Sequence, residues 1–189
     1  MNDLAYLLYD DKQLDAAEEA ALQTINLLSD TNYQYIVCDS YHLLGYICHS
    51  KGEGEKAIEH YKAALGIASP SSWHSQLSWI HYSLAVLLCN QGRFNDAHAH
   101  IEHAKSYAAS DIYLHGHAMQ LWANIWYLQG RLREAKSEAI SAFDVYQKLR
   151  ALKDVEDCQQ LLQQIEEAVN GEFVRIVLYC MPIHHLFLA

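Results

Sequence analysis

The segment SKGEGEKAIEHYKAA (Ser50–Ala64) recurs as NQGRFNDAHAHIEHA (Asn90–Ala104) and as LQGRLREAKSEAISA (Leu128–Ala142). A weaker copy, YDDKQLDAAEEAALQ, spans Tyr9–Gln23. The turn residue falls at Asp11, Gly52, Gly92 and Gly130, in steps of 41, 40 and 38, and alanine follows five residues later at Ala16, Ala57, Ala97 and Ala135. A fixed period of this length is the signature of a stacked helical array. It also settles the glycine pair of KGEGEK. A phosphate-cradling loop needs GxxxxGK[ST], and neither that glycine spacing nor a hydroxyl after Lys56 is present.

Each unit reads as two helices around the turn. The helix before it carries large residues and one small one at helical spacing: Tyr41, Leu44, Gly45, Cys48; His81, Leu84, Ala85, Leu88; Met119, Trp122, Ala123, Trp126. The helix after it carries Ala57, Tyr61, Ala64; Ala97, Ile101, Ala104; Ala135, Ala139, Ala142. Small residues let two helices approach closely while large neighbours fill the groove between them. The glycine supplies a left-handed residue to end the first helix. One pair cannot bury its apolar face alone, so neighbours must stack. The predicted helices run roughly 2–9, 12–29, 33–50, 54–68, 73–90, 94–109, 112–129, 132–150 and 154–169. Asp154 is the expected N-cap of the last, whose stripe of Val155, Cys158, Leu161, Leu162 and Ile165 marks a closing helix with a polar outer side. The expected fold is an all-α, right-handed α-α superhelix of antiparallel pairs over residues 1–170. Its repeats are about 1–30, 33–69, 73–109 and 112–150.

These residues resemble the tetratricopeptide repeat (TPR). The family pattern stands here as Tyr41, Leu44, Gly45, Cys48, Ala57, Tyr61 and Pro70. The resemblance covers about residues 1–150. It is specific in the second and third units and weaker in the fourth, where Ala139 stands at the aromatic position. Spacing of 38–41 exceeds the usual TPR length, with the extra residues in inter-repeat loops and longer first helices. Long units of this kind look like those of kinesin light chains and of the sensor arrays of STAND-type NTPases, most of all fungal ones behind NACHT or NB-ARC modules. No such ATPase lies in this chain, so ATP hydrolysis is not carried over. The resemblance implies a non-enzymatic interaction scaffold, or alternatively a regulatory fragment of a larger STAND-type protein whose groove is filled intramolecularly.

Composition narrows the partners. A net charge of −10 with only 13 Lys and Arg argues against nucleic acid. Five separated cysteines (Cys38, Cys48, Cys89, Cys158, Cys180) contain no CxxC and suit buried thiols in the cytoplasm. MNDLAYLLYD lacks the basic start of a signal peptide. Among the 12 histidines, HAHIEH brings His98, His100 and His103 close in sequence, but the first points away from the other two on a helix. His100 and His103 are expected on the outer, solvated face, and no metal or other cofactor is expected. There is no GxSxG nucleophile elbow. Trp122 and Trp126, four apart on one helix, are expected in the core.

The TPR register implies which residues line the concave surface. The second repeat places Asp39, His42, Tyr46 and His49 there. The third places Trp79, Tyr82, Val86, Cys89 and Asn90, and the fourth His117, Gln120, Asn124 and Tyr127. TPR domains that clamp a carboxylate tail do so with Lys, Arg and Asn, and no Lys or Arg stands at these positions, so no chaperone-tail clamp is expected. An aromatic, amide-rich face suits an uncharged peptide or partner helix. The short first helix suggests an array cut at its N-terminus. Residues 171–189, EFVRIVLYCMPIHHLFLA after Gly171, read as an apolar, non-helical and β-prone tail, too interrupted to span a membrane and suggestive of a translated intron.

Overall fold

The computed structural model describes residues 2–68, 73–108 and 111–180, with side chains described as far as residue 171. Every element among them is a helix: α1 Asn2–Asp10, α2 Leu14–Leu28, α3 Gln34–Ser50, α4 Gly54–Ile67, α5 His74–Asn90, α6 Phe94–Tyr107, α7 Ile112–Leu128, α8 Leu132–Leu149 and α9 Leu152–Cys180. Pro70 of the repeat motif and tail residues 181–189, including Pro182, His184 and His185, lie outside the described residues. The chain divides into two units, Met1–Leu114 and His115–Ala189. In the first, α1 packs on α2, α3 on α4 and α5 on α6, with α2 against α3 and α4 against α5. In the second, α8 packs on α9.

The turns explain the period. Gly52, Gly92 and Gly130 take φ of 78°, 73° and 73°. Around Gly52, its own N–H donates to the His49 carbonyl (3.0 Å) and the Glu53 N–H reaches back to that of Cys48 (2.8 Å), pairing the carbonyls that end α3. The same pair of bonds recurs at Gly92 and Gly130. In the first repeat the left-handed residue is Lys12 (φ 63°), with Gln13 N–H on the Leu8 carbonyl, and not the expected Asp11. The first step is therefore 40 rather than 41. Five residues on stands Ala17, fully buried, where Ala16 is not. A charged side chain in the glycine position hid the shift.

In the corrected register the small residue of each first helix is Ala5, Gly45, Ala85 and Ala123, all buried. Gly45 is required by its neighbour, since a Cβ there would lie 2.7 Å from Cζ of the Tyr61 ring. In the second unit Gly116 lets Tyr146 approach in the same way. Each second helix opens on an acid in its first turn (Asp15, Glu55, Asp96, Glu134), which suits the positive end of the helix dipole. The extra length of the units lies partly in first helices of 17 residues.

Two expectations about the C-terminus change. Asp154 sits inside the first turn of α9 rather than capping it. The helix also does not stop near residue 169 but continues through Gly171 to Cys180. Gly171 has no positive φ, and the β-branched residues that follow lower helix propensity only slightly. Cys158, Leu161 and Ile165 of α9 are buried against α8.

Candidate partner-binding face

The first helices α3 and α5 set their residues side by side, one repeat apart, and side chains bridge them. Asp39 accepts from Asn2 Nδ2 (2.6 Å), from the Tyr6 hydroxyl (3.0 Å) and from Gln76 Nε2 (2.8 Å), so one carboxylate ties α1, α3 and α5 together. Gln76 in turn accepts from the Tyr35 hydroxyl at 3.2 Å. None of these donors is a cation.

A step further along, Ser83 Oγ lies 2.9 Å from His42 Nε2, 2.9 Å from the Tyr46 hydroxyl and 2.8 Å from the Trp79 carbonyl. His42 is buried, with the Tyr46 ring at 4.7 Å and the Tyr61 ring at 5.7 Å. Burial pulls its pKa down to about 4, against the opposing influence of Asp39. His42 is therefore not on a surface that a partner can touch, contrary to its place in the expected groove. Its ring fills the seam between α3 and α5 because Ser83, opposite it, is small. Cys89 is buried as well. Tyr46 remains partly open but stands edge-on to Tyr61 (6.0 Å) and near Tyr9 (6.3 Å). His49 Nε2 meets Asn90 Nδ2 at 3.1 Å, its pKa lowered by burial. Trp79 and Tyr82 meet edge to face at 5.8 Å, both half-buried, and Val86 is half-buried beside them.

In the second unit, His117 faces the edge of Tyr146 at 5.5 Å, and Tyr146 donates to Gln120 Oε1 at 3.1 Å. Asn124 Nδ2 donates to the Gln120 carbonyl (3.0 Å), and Tyr127 packs half-buried on the cluster of Ala123, Leu132 and Ala135. Trp122 is buried, stacked on Trp126 at 4.8 Å, and the Arg131 guanidinium caps Trp126 at 3.7 Å.

The outer histidines are not a simple solvated row. His100 is half-buried, with Nδ1 2.9 Å from His81 Nδ1, and His103 stacks on the same His81 ring at 5.0 Å. Burial, then the neighbouring imidazoles, lower the His81 pKa to about 4. His103 is exposed as expected, whereas the expectation of a solvated His100 overlooked His81 on α5. Among the described residues no three His, Cys, Asp or Glu side chains converge as a metal ion requires.

Sequence reasoning missed Tyr6, Tyr35, Gln76 and Ser83. The signal for Tyr6 was present: at a step of 40 it is the counterpart of Tyr46.

Comparison with known proteins adds a match to one family over part of the chain. Residues 36–110 match the tetratricopeptide repeat. The chain is also similar to solved structures of that architecture. One is BtubC (BKLC) from P. vanneervenii, at 16% identity and TM-score 0.66 over 98% of this chain and 82% of that one. A second is a P. anserina putative kinesin light chain with nearly identical TPR-like repeats, at 18% identity and TM-score 0.64 over 93% and 92%. The apo form of RapI aligns at 19% identity and TM-score 0.58 over 88% and 67%. No curated protein sequence matches. The fold is thus a TPR-like helical solenoid, an architecture that generally serves as a protein–protein interaction scaffold. No helix among the described residues is long and apolar enough to cross a membrane.

Proposed function

We propose that the chain is a non-enzymatic scaffold that holds an uncharged peptide or partner helix against the α3–α5 face. The observation that carries this is the set of half-buried aromatic and amide side chains, Tyr46, His49, Trp79, Tyr82 and the exposed Asn90, with no Lys or Arg among them. Aromatic faces supply contact area and amides pair with a peptide backbone, whereas a carboxylate tail finds no cation here. The α7 positions His117, Gln120, Asn124 and Tyr127 offer the same chemistry within the second unit. Net charge of −10 favours a protein over a nucleic acid. Four buried cysteines without disulfides among the described residues suit a reducing, cytoplasmic setting.

Asp39 supports a second reading. A carboxylate already saturated by Asn2, Tyr6 and Gln76 behaves as internal structure, which suits a regulatory array closed by another part of a longer STAND-type protein. The experiment is capture and identification of a partner, followed by its titration against the purified chain and against Tyr82→Ala. Truncating an aromatic anchor costs about 2 kcal/mol of binding, a loss of more than tenfold. Unchanged affinity, or loss of folding by Tyr82→Ala, would sink the scaffold reading.

A further inference from the structure

The contact between α5 and α6 holds a pair of ligand-type nitrogens that peptide binding does not use. His81 of α5 and His100 of α6 bring their Nδ1 atoms to 2.9 Å. The exposed His103 and the half-buried Tyr107, both on α6, stack on the same His81 ring at 5.0 Å and 5.9 Å. Packing alone does not call for two imidazoles here. The same two positions are Tyr41 and His60 in the second repeat, with rings 6.2 Å apart, and Met119 and Glu138 in the fourth. The third repeat alone sets an imidazole on each helix.

Between two neutral rings this contact is a hydrogen bond, one Nδ1 donating to the other. Burial, then the neighbouring imidazoles, lower the pKa of His81, and burial followed by His103 lowers that of His100. A neutral imidazole is also the commonest metal ligand, and shifting one proton from Nδ1 to Nε2 leaves both Nδ1 lone pairs open to the space between the rings. The spacing selects a geometry. A cation about 2.0–2.1 Å from each nitrogen, the usual imidazole–metal length, would hold the two about 90° apart. That is the cis angle of a square-planar or tetragonal centre, which Ni²⁺ and Cu²⁺ adopt, and it is narrower than the tetrahedral angle of structural zinc. The charged groups bearing on His100 are Asp96, which favours a cation, and Lys62 of α4 and Arg93, which oppose it. Arg93 is itself paired with Asp96 at 2.6 Å.

We propose that His81 Nδ1 and His100 Nδ1 form a two-imidazole chelate for a late first-row divalent cation of tetragonal preference, clasping α5 to α6. Water fills the remaining positions, because no third ligand converges among the described residues. The chelate shares no residue with those assigned to peptide binding, so it stands or falls by itself.

Ni²⁺ titrated into the full chain by calorimetry should bind at this site and raise the melting temperature, since it binds the folded form. Mg²⁺, which takes oxygen ligands, should do neither. His81→Tyr recreates the Tyr41–His60 pair of the second repeat, a pairing this fold already accommodates. His100→Gln is a second variant that keeps a hydrogen-bonding side chain. Either should weaken Ni²⁺ by about tenfold or more, because losing a ligand costs at least as much as losing an outer hydrogen-bond partner of one. Electron paramagnetic resonance of the Cu²⁺ form should show two coordinated imidazoles in the parent and one in His100→Gln. His103→Ala should leave the affinity nearly unchanged. If His81→Tyr binds Ni²⁺ as tightly as the parent, the ion lies on α6 alone or on other histidines, and the cross-helix chelate is overturned. A loss in His103→Ala equal to that in His100→Gln would overturn it too, as would Mg²⁺ binding as well as Ni²⁺.

Discussion

Gly45→Ala tests the packing rule on which the whole array rests. The added methyl would enter the Tyr61 ring, with Cζ at 2.7 Å and two further ring carbons closer. Ordinary carbon contacts lie near 3.5–4.0 Å, so the ring must move. It has little room, being fully buried with Tyr46 and His42 against it. Overpacking of this kind costs about 1–3 kcal/mol. The exchange also gains about 1 kcal/mol of helix propensity. With the overlap at the severe end, a net loss near 2 kcal/mol is expected from those two figures. The third repeat supplies the rescue, because the same two positions there are Ala85 and Ile101, both fully buried. Tyr61→Ile alone should leave a void and cost about 2 kcal/mol. Combined with Gly45→Ala it should recreate the third-repeat pair, giving a favourable coupling of about 3 kcal/mol, the whole of the relieved overlap. Urea unfolding followed by far-UV circular dichroism on the four proteins closes the cycle. A coupling below about 0.5 kcal/mol, the scatter expected of independent sites, would refute the argument.

Ala97, fully buried at the α5–α6 crossing, should not accept leucine: Ala97→Leu is expected to lower stability by about 1–3 kcal/mol in the same assay. Acid should also weaken the fold. The folded-state pKa of His42 is held at about 4, below its ordinary 6.5, so the unfolded chain takes up the proton first and stability falls as pH drops below 6.5 towards 4. The loss from His42 between pH 7 and pH 5 is about 2 kcal/mol. His81 acts in the same direction, and His42→Gln should remove only the share of the first. A pH slope unchanged in His42→Gln would contradict the buried, neutral imidazole.

The helices and turns were legible because each repeat repeats its own punctuation. Gly52, Gly92 and Gly130 adopt the left-handed conformation that glycine alone takes without penalty, and alanine marks the close approach that follows. Lys12 broke the pattern by sitting at a glycine position with φ 63°, which moved the first repeat by one residue and concealed Tyr6. The run of α9 through Gly171 was not legible, because the apolar residues after it carry no helical stripe. The side-chain bridges between repeats were not legible at all. A register predicts that His42 faces the inner side, but not that Ser83 leaves space for it to be buried.

That last point decides where a partner can act on α3 and α5. A polar side chain on a stacked helix has a counterpart one repeat away at nearly the same height, and the two satisfy each other before any ligand arrives. Asp39 with Gln76, His42 with Ser83 and His49 with Asn90 are such pairs. Breaking either of the first two exposes or strands a buried partner, so a binding loss in Asp39→Ala or His42→Ala would report folding as much as recognition. Tyr46 carries the same ambiguity through Ser83 and Tyr61. Trp79 and Tyr82 are half-buried neighbours on α5 whose rings meet edge to face. Tyr82→Ala therefore needs its melting transition read beside its affinity, as Tyr46→Ala does, before a loss of binding counts as recognition.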